Sequence, residues 1–235
     1  MVDLPATHDW KEPGFASRWE ALAEQVNPVR QEQLDLLLGL LRHEGPGTVL
    51  DLGVGSGLVA EMVLEALPEA QVVGLDSSPA MLDLARDRLA RFPGRATMIE
   101  ADLETVTVAA CLAGPGPIHA VISVQTLHNL EPAAHRRMLA STAEAMAPGG
   151  MLVIADRYAA APELFGAFGV VWNRLGIDEG ATFDEHREKL RAHGDRPVSL
   201  ATELQWLDET GFDAACLQCL ANRAVVVGRR RLQAL

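Results

Sequence analysis

The sequence predicts an α/β protein: a doubly wound, mainly parallel seven-stranded sheet with helices on both faces, a C-terminal antiparallel hairpin strand and helical lid elements. Three observations predict it. Between residues 48 and 155, short continuously apolar stretches alternate with helix-patterned ones, as in a parallel sheet covered on both sides. A glycine loop, Gly53 to Gly57, joins the first of those strands to its helix. Near the end, strand-like stretches at about 212–220 and 223–228 are separated by Ala221-Asn222, and a turn that tight makes an antiparallel hairpin.

The elements follow in order. Ala16 to Gln25 has a helical pattern, and a second helix follows with Asn27 as its N-cap, Pro28 in its first turn and Leu34, Leu37, Leu38 and Leu41 on one face. Thr48–Leu52 is the first strand, and the helix after the glycine loop runs to Leu67, ahead of Pro68. Gln71–Leu75 is the second strand. Ser78 then caps a helix with Pro79 at its first position and Met81, Leu82, Ala85 and Leu89 turned inward. Ala96–Ile99 and His119–Val124 are the third and fourth strands. A helix over Pro132–Ala147 stops at Pro148-Gly149-Gly150, and Met151–Ala155 is the fifth strand. After Asp156 the alternation breaks: 159–198 reads as helices and loops, and Ser199–Thr210 as a helix ended by Gly211. The expected organisation is one domain over 1–235, with a helical cap at 1–47, a ligand-binding core at 48–157, a helical insertion or lid at 158–198, and a closing helix and hairpin at 199–235.

Composition narrows the function classes. Nearly half of the 235 residues are hydrophobic, yet no apolar run approaches the roughly 18 residues that span a bilayer. Met1 to Trp10 lacks the basic and apolar regions of a signal peptide, so a cytoplasmic protein with no membrane partner is expected. A net charge of −12 repels nucleic-acid backbone, and the one tight basic cluster, Arg229-Arg230-Arg231, reads as a solvated tail. Small molecules are therefore the expected partners rather than nucleic acid, and a homodimer is compatible with these features. Three cysteines do not make a disulfide framework. Cys216 and Cys219 have the spacing of half a zinc site without a second pair. An odd separation along a strand puts them on opposite faces, so no metal is expected.

The residues that carry chemistry cluster at strand ends. Val49-Leu50-Asp51-Leu52-Gly53-Val54-Gly55-Ser56-Gly57 runs from the first strand through a turn that lets a ligand approach the backbone, ahead of a helix N-terminus with unpaired N–H groups. Its spacing is Gly-x-Gly-x-Gly, not the Gly-x-Gly-x-x-Gly of dinucleotide folds. Asp76 ends the second strand, where a carboxylate accepts both hydroxyls of a ribose. Asp102 lies just past the third strand, placed to accept from an adenine amino group. Taken singly, Asp76 reads equally well as a cap for the following helix and Asp102 as a turn residue; on successive strand ends they read as one site.

The segments VLDLGVGSG at 49–57, GLDSSPAMLDLAR at 74–86, EADL at 100–103, AVISVQTLHNL at 120–130 and APGGMLVIADR at 147–157 resemble the class I S-adenosylmethionine-dependent methyltransferases, with ELQWLDETGF at 203–212 a looser likeness. The resemblance implies methyl transfer from S-adenosyl-L-methionine. It implies that Asp51 and the backbone of Gly53 and Gly55 hold the methionine end and that Asp76, beside Ser77, binds the ribose. Met81 would pack near the base, Asp102 and Leu103 would contact adenine, and Gln125 would lie beside the sulfonium. Aligning nucleophile, methyl carbon and sulfur supplies much of the rate, and a base is needed only where the acceptor loses a proton early. His128 is the candidate base; many relatives have Leu-His-His-Leu where this chain has Leu127-His128-Asn129-Leu130. Arg157, after the fifth strand, is a candidate anchor for an anionic acceptor or else a structural ion pair; Arg30 and Glu203 are further candidates. Within 48–155 Phe92 is the one aromatic residue. Trp10, Phe15 and Trp19, with Phe165, Phe168, Trp172 and Phe183, are expected to wall an apolar acceptor pocket as a lid, or to pack helices together. Three other readings stay open: a cofactor-binding protein without methyl transfer, transfer of another group from a modified cofactor, and a nicotinamide-dependent oxidoreductase.

Overall fold

The computed structural model describes residues 27–112, 118–177, 180 and 182–232. The helix expected over 16–25, and Trp10, Phe15 and Trp19 with it, lie outside the described residues. The described chain forms α1 (Arg30–Glu44), β1 (Thr48–Leu52), α2 (Leu58–Ala66), β2 (Gln71–Asp76), α3 (Pro79–Leu89), β3 (Ala96–Glu100), α4 (Val108–Cys111) and β4 (Ile118–Val124). After β4 come α5 (Pro132–Ala145), β5 (Met146–Arg157), α6 (Phe165–Leu175), α7 (Phe183–His193), α8 (Leu200–Glu209), β6 (Phe212–Leu220) and β7 (Arg223–Arg230).

The seven strands make one sheet in the order β3-β2-β1-β4-β5-β7-β6. Its first five strands are parallel and β7 is antiparallel to both β5 and β6. On one face, Leu34, Leu37, Leu38 and Leu41 of α1, Val59 and Val63 of α2, and Leu82 and Leu89 of α3 bury against Val49, Val72, Ile122 and Val153. On the other, Met138 and Leu139 of α5 and Leu207 of α8 pack on Leu50, Leu75, Val121 and Ile154. Strands covered on both faces need no polar alternation, which is why their sequences read as unbroken apolar runs.

Several boundaries differ from the sequence expectation, each for a local reason. Helix α1 starts at Arg30: the carbonyl of Asn27 accepts from the Arg30 N–H at 2.9 Å, closing a turn ahead of the helix, and the Asn27 amide donates to Gln33 at 2.9 Å instead of capping. Helix α5 ends at Ala145, and Pro148-Gly149-Gly150 lies within β5 rather than before it. Ile118 pairs Met146 and Ala120 pairs Met151, so the residues between bulge out where Gly149 takes φ 78°. A second bulge corrects the cysteine geometry. Cys216 pairs Val226 while Gln218 pairs Val225 and Cys219 pairs Ala224, leaving Leu217 as the extra residue. Val226 and Ala224 point to one face, so Cys216 and Cys219 do too. The hairpin turns at Ala221, φ 51°, and Asn222, as expected. The basic cluster is no solvated tail: Arg229 and Arg230 end β7, where Arg229 pairs with Glu44 at 2.6 Å and Arg230 donates to the Ala143 carbonyl at 2.8 Å. Arg231 pairs with Asp213 at 2.8 Å and with Asp208. Among the described residues, no helix is long and apolar enough to cross a membrane.

Candidate active site

The strand order reverses direction between β1 and β4, and the crevice beyond the carboxyl ends of such strands is where α/β sheets take ligands. The loop after β1 turns over the end of β2: the N–H groups of Gly53 and Val54 both donate to the Leu75 carbonyl, at 2.8 and 2.9 Å. Gly53 has φ 76°, and a Cβ there would stand 2.3 Å from the Thr126 side chain, so this turn tolerates no side chain. At Gly55, φ 55°, an added Cβ meets nothing within 4 Å; its space is the cavity itself.

Two carboxylates flank that loop. Asp76 Oδ2 accepts from the Gly55 N–H at 2.9 Å and Oδ1 from the Ser78 N–H at 2.9 Å. Burial pushes its carboxyl above the usual range, against the opposing backbone donors of Ser78, Gly55 and Ser77. Asp51, on β1, is 2% exposed, and its Oδ2 has no hydrogen-bond partner. Burial, and secondarily the neighbouring Asp76, push the Asp51 carboxyl up to about 7. A buried acid with an orphaned oxygen is costly unless a donor or cation meets it.

Asp102 is exposed at the cavity rim. Its Oδ1 accepts from the Glu104 N–H at 2.9 Å, so it serves the local turn as well as facing the cavity. Gln125 follows β4 with φ 53°, a left-handed conformation uncommon outside glycine. Its N–H donates to the Ala155 carbonyl at 2.9 Å, which ties the β4 exit to β5. One cavity is lined by Asp51, Gly53, Gly55, Asp76, Ser77, Met81, Asp102, Leu103 and Gln125, the full set that the sequence assigns to the cofactor. Arg30 also lines it. So do Thr126, Asn129 and Leu130, which sequence reading left out. The signal for Thr126 was its place two residues past β4, opposite a glycine that must stay bare. Asn129 stands on the wall where the sequence showed only a departure from a two-histidine pattern.

The two catalytic candidates sit elsewhere. Neither His128 nor Arg157 is on the cavity wall. His128 Nδ1 is bonded to Asp156 Oδ1, its backbone N–H donates to Asp156 Oδ2 at 3.2 Å, and its Nε2 is 3.8 Å from Asp195 Oδ1. Arg157 Nη1 donates to Asp195 Oδ2 at 2.6 Å, which realises the ion-pair alternative. Burial raises the Asp156 carboxyl, but the charge and hydrogen bond of His128, the Arg157 N–H and the charge of His135 outweigh it, leaving Asp156 below the ordinary range. Glu203 is buried away from the cavity, 3.0 Å from His135 Nε2.

The insertion is helical as expected, but none of its described residues lines the cavity. Its rings meet each other: Phe165 lies edge-on to Trp172 at 5.3 Å and to Phe183 at 5.6 Å, and His186 stacks on Trp172 at 5.2 Å. Trp172 Nε1 donates to Asn222 in the hairpin turn at 3.0 Å. Aromatic rings gain more from mutual packing than from standing open to solvent, so the packing alternative describes Phe165, Trp172 and Phe183. The insertion instead reaches the site through Asp195 and through Arg196, whose N–H donates to the His128 carbonyl at 2.6 Å.

These residues suit S-adenosylmethionine. The orphaned Asp51 oxygen needs a donor or cation, which an ammonium group supplies, and the bare Gly55 leaves room against the backbone. A glycine turn after β1, carboxylates at the ends of three successive strands and an antiparallel closing strand together define the Rossmann-like class I methyltransferase architecture.

Comparison with known proteins agrees. Residues 49–150 match the family model described as "Methyltransferase domain". A trans-aconitate 2-methyltransferase of Acidovorax ebreus is 34% identical over 149 residues, covering 63% of this chain and 49% of that protein. A ribosomal RNA small subunit methyltransferase H of Beutenbergia cavernae is 34% identical over 103 residues, covering 44% of this chain and 31% of that one. The structure of an O-methyltransferase family protein from Burkholderia thailandensis has the same fold, with a TM-score of 0.69 at 18% identity over 97% of this chain and 62% of that one. The chain spans about half the length of the trans-aconitate methyltransferases it matches.

Proposed function

We propose that this protein binds S-adenosylmethionine in the cavity at the ends of β1, β2 and β4 and transfers its methyl group to a small-molecule acceptor. The observation that carries this reading is the placement of Asp51, Asp76 and Asp102, from three successive strand ends, on one cavity wall around Gly53 and Gly55. The cofactor supplies an electrophilic methyl group on sulfur with a good leaving group. Asp51 meets the ammonium of the methionine end, and the Gly53–Gly55 backbone lies against it. Asp76 is already aimed by the Gly55 and Ser78 N–H groups and keeps lone pairs for the ribose hydroxyls, beside Ser77. Met81 packs by the base, and Asp102 with Leu103 borders the adenine. Gln125, fixed by its left-handed backbone and its bond to Ala155, stands beside the sulfonium and the acceptor. Holding the reacting atoms in line supplies much of the acceleration.

For an acceptor group that must ionise, His128 stays the candidate base, and the acceptor would have to reach it beyond the cavity wall. Asp156 occupies Nδ1, which leaves Nε2 as the nitrogen that exchanges a proton, and Asp195 with Arg157 holds that side of the ring. Arg157 serves the site through Asp195 rather than by meeting an acceptor.

A small acceptor is favoured over RNA by the net charge of −12 and by the ion pairs that occupy Arg229 and Arg231. Two measurements test the function. Calorimetric titration should show binding of S-adenosylhomocysteine; tight NAD(H) binding with no response to S-adenosylhomocysteine overturns the reading. With a radiolabelled methyl donor, label should enter acid-soluble metabolites. Label in added ribosomal RNA alone replaces the acceptor class, and cofactor binding with no transfer to any acceptor replaces the enzyme by a binding protein.

A further inference from the structure

The bulge in β6 brings that strand's two cysteines onto common ground. Cys216 pairs with Val226 and Cys219 with Ala224, with Leu217 the extra residue between them. Val226 and Ala224 are alternate residues of β7, so both cysteines face one side of the sheet, about 6.8 Å apart along it. That spacing is at the upper end of the Cα separations a disulfide spans. The Cys216 thiol donates to the Gln218 carbonyl at 3.2 Å, so its sulfur lies against the peptide group that leads into Cys219. The Cys219 thiol donates to the Ala221 carbonyl at 3.4 Å. Burial, then the charge and hydrogen bonding of the Cys219 thiol, push the Cys216 thiol up, against the opposing bond to Gln218. Burial also raises the Tyr158 phenol, and the charges of Glu203, Asp156, Cys216 and Cys219 add to it, which sets both sulfurs on the Tyr158 side of the sheet.

These surroundings suit thiol chemistry. Two thiolates are half of a four-ligand zinc site, and among the described residues no third His, Cys, Asp or Glu joins them. Cys219 is exposed and Cys216 half-buried, so an oxidant reaches Cys219 first and Cys216 stands ready to resolve it. Strand β6 is the edge of the sheet, bonded to β7 alone, and Leu217 is 51% exposed, so the bulge has room to adjust. We propose that Cys216 and Cys219 form a peroxide-oxidised dithiol that closes into a reversible disulfide across the Leu217 bulge. The Cys219 thiolate attacks peroxide: an S–O bond forms, the O–O bond breaks, and the hydroxide that leaves takes up a proton as water. The Cys216 sulfur gives up its proton and attacks the sulfenic sulfur. The S–S bond forms, the S–O bond breaks, and hydroxide leaves with that proton as a second water. Two electrons pass from the pair to the peroxide. A bond drawn across so wide a spacing is strained and readily reduced. The turn that follows holds the insertion: Asn222 accepts from Trp172 Nε1 at 3.0 Å and, through its carbonyl, from the Tyr158 N–H at 2.7 Å. Closure therefore disturbs this turn and loosens α6.

The test applies stoichiometric hydrogen peroxide to the full chain carrying Cys111→Ser, which leaves the pair as its only thiols. Mass spectrometry and free-thiol titration read the product. The monomer should lose two hydrogen atoms and both free thiols together, and dithiothreitol should restore both. With Cys216→Ser added, Cys219 should instead take up oxygen atoms, and a share of it should resist dithiothreitol. If that variant does not fold, Cys219→Ser gives the converse, and half-buried Cys216 alone should lose its thiol about tenfold more slowly than the pair does. Oxygen addition to Cys219 in the intact pair, or cross-linked dimers in place of the internal disulfide, overturns the proposal. Hydrogen exchange reads the coupling: oxidation should raise exchange across 165–175, and unchanged exchange there in the disulfide form overturns the link to the insertion.

Discussion

Asp51 is where a single residue couples protonation to ligand binding. Its carboxyl, pushed to about 7 by burial and then by Asp76, is largely protonated in the empty cavity at mildly acid pH. An ammonium partner favours the ionised form, so the affinity for S-adenosylhomocysteine should be level above pH 7. Well below it, affinity should fall by about tenfold per pH unit. The Asp51→Asn variant should bind weakly at pH 8 and lose this slope; a wild-type profile flat from pH 5.5 to 8.5 would refute the ammonium contact. Stability carries the opposite sign. Because the folded state holds the proton more tightly than the unfolded chain, stability falls as pH rises from the ordinary 3.8 to about 7 and levels off above. Asp51→Asn should therefore melt higher than wild type at pH 8 without ligand, while gaining less from added ligand. Motif position made Asp51 legible as a site residue. Its perturbed proton affinity was not, since that depends on how completely the sheet and Asp76 exclude water from it.

The β1–α2 loop separates two roles that glycine plays at the level of an element. At Gly53 the constraint is packing, because a Cβ would collide with Thr126 across the β1–β4 gap; at Gly55 it is ligand space. Gly53→Ala should lower the melting temperature and the ligand affinity together. Gly55→Ala should cost about 1–2 kcal/mol of left-handed strain and leave a folded protein that binds S-adenosylhomocysteine poorly. Thermal melts beside calorimetry distinguish them, and equal effects would show that Gly55 does not face the ligand. The sequence displayed both glycines in one pattern without telling them apart, because Thr126 arrives from a strand far along the chain. The hairpin teaches the same lesson. Alternation along β6 predicted opposite faces for Cys216 and Cys219, and one extra residue at Leu217 reverses the parity.

Over the whole molecule, the insertion is joined to the core by a buried cluster. Asp195 stands against both His128 and Arg157, and each side chain is nearly withdrawn from solvent. Asp195→Ala leaves the Arg157 charge without that carboxylate, so a destabilisation of about 3–5 kcal/mol is expected. Hydrogen exchange should rise across 158–198 more than in β1–β3; a uniform change would show that Asp195 does not tie the insertion down. Asp195→Asn, which preserves the shape, should retain more stability than the alanine variant.

The sequence by itself determined the doubly wound sheet and its hairpin edge, and it singled out nine residues that share one cavity wall. Those features rest on local patterns, apolar runs and turn residues at strand ends, which survive in a linear reading because the parallel fold brings successive strand ends to one crevice. Only the tertiary structure decided that His128 is held between Asp156 and Asp195, that Arg157 is already paired, and that the insertion's rings pack on one another. Those outcomes depend on pairings between distant segments, where burial makes an unpartnered charge too costly to leave open and gives each one the nearest opposite charge.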